Sequence, residues 1–89
     1  MSPETFRLPV RAGVRECAAL KQQLLGLVES ADAVIIDISG VELVDTAALQ
    51  LLFAFGRERN ANGLMTIWQG DSPTFLSAAA AMGLQMGPS

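Results

Sequence analysis

Ala33–Leu52 reads AVIIDISGVELVDTAALQLL. From Ala33 to Ile38 the chain is apolar at nearly every position and rich in β-branched residues, which predicts a strand covered on both faces in a sheet between helices. Asp37 interrupts that run near its C-terminal end, where sites on open α/β sheets gather. Ser39-Gly40 is a turn signal, and Val41 to Val44 crosses over in a short extended or irregular segment. A helix then opens at Asp45-Thr46, either of which can accept a hydrogen bond from a free first-turn N–H. It runs to about Ala61 and stops at Asn62-Gly63. A hydroxyl therefore stands beside an acid at a helix N-terminus.

On the N-terminal side, Thr5 to Val10 is a short strand whose Pro9 places it at an edge or ends it. Gly13 breaks the chain before an amphipathic helix from Val14 to about Ser30. Its Cys17, Leu20, Leu24, Leu27 and Val28 share one face at three- and four-residue steps, so Cys17 reads as a small core residue rather than a reactive thiol. On the C-terminal side, Leu64 to Gln69 is a second central strand containing Trp68, which reads as core. Ser72-Pro73 then starts a last helix, a cap followed by proline at the first helical position. Phe75, Leu76, Ala79 and Met82 give that helix an apolar side; Gly83 ends it, Leu84 tucks back and Gln85–Ser89 frays.

Strand and helix alternate three times. The expected fold is α/β: one domain over residues 1–89, a small sandwich with a central mixed sheet, helices, and right-handed crossovers between parallel strands.

Bulk composition narrows the function. Half of the 89 residues are hydrophobic (51%) and 17% are charged, so the chain folds. The net charge is −3, and the six basic residues are scattered. That excludes the basic patch that nucleic acid or an anionic membrane surface requires. Cys17 is the only cysteine, so no internal disulfide forms. Neither a signal peptide nor a membrane-length apolar run is present. These features together point to a soluble cytoplasmic protein. There is no histidine, no zinc-type ligand set, no GxxxxGK[ST] and no GxGxxG. No metal or cofactor is expected, and Ser39 and Thr46 lack a base to activate them, so an enzyme is the least favoured class.

With Leu49 at zero on a helical wheel, Leu52, Phe53 and Gly56 fall within about 60° of it and form the core stripe. Ala48, Leu51 and Phe55 form a second ridge, Gln50, Arg57 and Glu58 fill the polar arc, and Arg59 lies close to the second ridge. The ridge is either further core, packed on the C-terminal helix, or a docking surface. Burial of such helices on more than one side favours core. Thr46 is likewise either a cap or a phosphate acceptor. A phosphate there would be welcomed by the helix dipole and repelled by Asp45 and Asp37, which is the physical logic of a switch. A small-molecule or nucleotide cleft at Asp37, Ser39 and Thr46 is disfavoured, because neither a glycine-rich loop nor a lysine accompanies it.

The stretch from Ala33 to Leu64 resembles the core of STAS domains, found in sulfate transporters and anti-sigma factor antagonists. Asp37-Ile38-Ser39-Gly40 and Asp45-Thr46-Ala47-Ala48-Leu49 match the family pattern, with Gly63 after the helix, and the likeness spans Val14 to Leu84. The resemblance implies a regulatory interaction module like the anti-sigma factor antagonists. Thr46 would then be phosphorylated by a partner serine/threonine kinase, and that phosphate would block binding to the kinase. Asp37, Ser39, Asp45, Ala47, Ala48, Leu51 and Phe55 would surround the contact surface. Other STAS relatives bind the ATPase subunit of a phospholipid-transport ABC system through the same region, and these also carry threonine at the switch position. Three departures stand out: Ala48 where many members have glycine, Thr46 in place of the commoner serine, and room for one strand before Val14 where members have two or three. The reduced sheet would leave an edge for a partner or a second copy to cover.

Overall fold

A computed structural model describes residues 3–83. Three parallel strands form the main sheet: β1 (Glu4–Arg7), β3 (Val34–Asp37) and β5 (Thr66–Gln69), in the order β1-β3-β5. A second, two-stranded parallel sheet joins β2 (Arg11–Ala12) to β4 (Leu43–Val44). The helices are α1 (Cys17–Leu25), preceded by a 3-10 turn at Val14–Glu16, α2 (Thr46–Ala61) and α3 (Pro73–Ala81). The α/β sandwich is as expected.

The N-terminal region holds two strands rather than one. Proline has no N–H to give the ladder, and β1 ends at Arg7, just before Leu8-Pro9. Beyond the proline the chain pairs anew. The carbonyl of Val10 accepts from Glu42 and Leu43, and that of Ala12 accepts from Asp45. The first helix is also shorter than the periodicity predicts, ending at Gly26 with turns to Glu29. The carbonyls of Leu27 and Ser30 face a guanidinium, that of Arg59, instead of continuing the helix.

The expectation that the Ala33–Ile38 strand is covered on both faces is corrected. Val34, Ile36 and Ile38 are sealed while Ile35 and Asp37 are only half-buried. All three helices contribute to the one core built on the Phe6, Val34, Ile36 and Trp68 face. The opposite face, with Thr5 level with Ile35 and Ile67, carries no helix among the described residues, and Ile67 is 39% exposed. Parallel strands need crossovers, and here every crossover helix lies on the same side.

Aromatic packing ties the layers. The rings of Phe53 on α2 and Trp68 on β5 stack at 4.9 Å, and Phe75 on α3 sits 6.3 Å from Phe53. Burying such rings makes the largest apolar contributions available to a small core. Trp68 is half-buried and Cys17 packs on the core from its margin, while Leu76, read as part of α3's apolar side, is 42% exposed. The readings for Leu84 and the Gln85–Ser89 tail lie outside the described residues.

Candidate functional site

The handover from β4 to α2 is built by Asp45. Its backbone is extended (φ −85°, ψ 153°), and its carboxylate accepts from the Ala47 N–H at 3.1 Å. That is the geometry of an N-cap, and it satisfies one of the donors that a helix start leaves open. Of the two capping candidates the structure selects Asp45. Thr46 is the first helical residue and is exposed, with no hydrogen bond to its hydroxyl among the described residues.

Behind Thr46 the surface closes quickly. Ala47 is half-buried, Ala48 is fully buried, and Leu51 is half-buried. Phe55 is 5% exposed. The ridge Ala48-Leu51-Phe55 therefore runs mostly below the surface, and Ala48 and Phe55 shape it from beneath. The ridge faces α1 rather than the C-terminal helix. Leu51 and Phe55, with Leu24, Leu25 and Val28 of the α1 region, line an apolar groove of about 260 Å³. The two helices meet through these apolar side chains.

Asp37 and Ser39 form a separate corner at the C-terminal end of β3. The Asp37 carboxylate accepts from the Ser39 N–H at 2.9 Å. Hydrogen bonds from the Ser39 hydroxyl and then from its amide hold the Asp37 pKa below the usual carboxylate range; burial opposes them, and the positive charge of Arg7 adds a lesser lowering. Gly70 packs on this turn at φ 103°, so close that a Cβ there would lie 2.8 Å from both Cβ and N of Ser39. No hydrogen bond among the described residues joins this corner to Asp45 or Thr46.

Two residues hold the site's frame; sequence reasoning found the capping role of Ser72 but neither its bond to Val41 nor the burial of Arg59. Arg59 is 0% exposed. Its Nε donates to Thr66 Oγ1 at 2.9 Å, its Nη1 to the carbonyls of Leu27 and Ser30 at 2.9 Å, and its Nη2 to those of Asp32 at 3.0 Å and Met65 at 2.7 Å. Nη1 also reaches the Val28 carbonyl at 3.4 Å, so the five N–H donors of the guanidinium meet six acceptors. Burial lowers its pKa and the charge of Glu4 partly restores it; the group remains a cation, since arginine starts so high. Ser72, also buried, donates to the Val41 carbonyl at 2.8 Å and caps α3 by accepting from Phe75 N–H at 3.1 Å. The sequence signal for Ser72 was its capping position. For Arg59 the only signal was a charge beside an apolar ridge.

The described residues contain no group of three or more His, Cys, Asp or Glu side chains able to hold a metal ion. No helix among them is long and apolar enough to cross a membrane. The corner offers an exposed hydroxyl at a helix N-terminus beside the capping carboxylate of Asp45. Residues 7–85 match the model of a family described as "Mlab, STAS domain". No curated protein matches the chain.

Proposed function

Since the chain belongs to the STAS domain family, a family of interaction and regulatory modules, we propose that it docks a protein partner through the N-terminal corner of α2. Phosphorylation of Thr46 by a partner serine/threonine kinase switches that docking, as in the anti-sigma factor antagonists. The observation that supports this is the division of labour at the helix start. Asp45 performs the capping, so the exposed Thr46 hydroxyl has no structural duty. A phosphate on Thr46 would carry close to two negative charges. The free N–H groups and the dipole of α2 would offset the repulsion from Asp45, so the fold would tolerate them. A partner pressed onto the same corner would meet that charge beside the Asp45 carboxylate and be repelled.

The test is a purified candidate kinase with the full chain. A single phosphate, seen by intact mass spectrometry and lost in Thr46→Ala, is the expected result, with binding abolished in Thr46→Glu. Absence of phosphate with a kinase that does bind the chain refutes the switch.

A second reading is favoured by the identity of residue 46 as threonine. STAS relatives that bind the ATPase of a phospholipid-transport ABC system also have threonine there. In that reading Thr46 is a permanent contact, the chain co-purifies with an ATPase, and Thr46→Ala weakens the complex although no phosphate is ever found.

A further inference from the structure

The apolar groove between α1 and α2 carries its own electrostatic complement. Arg59, near the end of α2, bonds carbonyls just beyond the end of α1. The two helices therefore run side by side in the same direction. Lys21 lies at the Leu51 end of the groove and Glu58 at the Val28 end. Leu51 and Glu58 are seven residues apart, about 10 Å along the helix. Both charged residues are exposed, and the apolar surface between them includes Leu25, 58% exposed, and the small, exposed Ala54.

We infer that this face binds a second copy of the chain about a two-fold axis perpendicular to α1 and α2. A two-fold reverses the direction of the helices, so Lys21 of each protomer meets Glu58 of the other and both pairs form at once. Leu25 and Val28 of one protomer then cover Leu51 and Ala54 of its partner, with Ala54 letting the backbones approach. A dissimilar partner would need a positive end and a negative end in the matching order. A second copy supplies that order by symmetry, which selects it over other occupants. The charge pairs set the register, and the burial of the apolar strip holds the pair together. This inference does not depend on the role given to Thr46, which does not line the groove.

Sedimentation equilibrium on the full chain tests it. The expected species is about 19 kDa, twice the 9.4 kDa of the monomer. Lys21→Glu and Glu58→Lys each place like charges opposite one another at both ends and should weaken the dimer at least tenfold. The double variant Lys21→Glu/Glu58→Lys should restore it. Both sites are exposed, so unchanged far-ultraviolet circular dichroism separates loss of pairing from loss of fold. A chain that stays at 9.4 kDa up to about 1 mM overturns the inference. So does a dimer indifferent to either single reversal, or one that the double variant fails to recover.

Discussion

Replacing Arg59 by alanine should cost this domain a large part of its stability. The side chain is wholly buried and spends its five N–H donors on Thr66 Oγ1 and the carbonyls of Leu27, Val28, Ser30, Asp32 and Met65. These bonds join the end of α2 to the loop that leads into β3 and to the start of β5. At about 1 kcal/mol net per bond, five bonds put the loss near 5 kcal/mol. Water reaching some of the freed carbonyls trims that, so Arg59→Ala is expected to lose about 3–5 kcal/mol. A domain of this length holds only about 4–13 kcal/mol in total. Arg59→Lys keeps the charge but has three donors on one nitrogen and no fork, so it should lose about 2–3 kcal/mol. Urea unfolding followed by Trp68 fluorescence measures both. The midpoint should fall with the slope unchanged, and the alanine variant's melting temperature should drop by roughly 15 °C or more. The reasoning fails if Arg59→Ala loses less than about 1 kcal/mol, or if lysine matches arginine.

Other variants probe the corner itself. Asp45→Ala should cost about 1 kcal/mol as a lost cap, whereas Thr46→Ala should change stability by less than about 0.5 kcal/mol; equal losses in thermal melts would return the cap to Thr46. Gly70→Ala, at φ 103° with backbone and side-chain atoms of Ser39 at 2.8 Å, should lose at least about 2 kcal/mol. Gly63→Ala, at φ 71° in open space, should lose only the left-handed penalty of about 1 kcal/mol, so chemical denaturation should rank them in that order. The Asp37 carboxyl, with its folded pKa held down by Ser39 and Arg7, contributes stability in full above the unfolded carboxylate value of about 4, and loses it as pH falls through the lower folded value. A carbon-13 titration of that carboxyl should show a midpoint below the usual range, and Asp37→Asn should flatten this acid limb; a midpoint at or above the usual value refutes the assignment.

The order of elements was legible because each carries a local signal. The β-branched run at Val34–Ile36, the Ser72-Pro73 start and the Asn62-Gly63 stop are decided within a few residues. β2 and β4 were not legible as a pair, since two-residue strands have no period of their own and exist only because Val10 and Ala12 find Glu42, Leu43 and Asp45 across the fold. At the candidate site, the position of the helix start was legible. Thr46 stands exposed at the helix start, but a wheel could not say which neighbour would cover Ala48 and Phe55.

Alone, the sequence determined the α/β alternation and the helix start at Asp45-Thr46, because propensity and capping act over short range. Tertiary structure alone decided that all the helices share one side of the sheet, leaving Ile67 in the open. It also decided that α1 covers the second ridge of α2, and that Arg59 turns inward to collect carbonyls from two separate segments, residues 27–32 and Met65. A charged side chain is buried only where distant backbone groups converge to satisfy it, and that convergence appears in no window of the sequence.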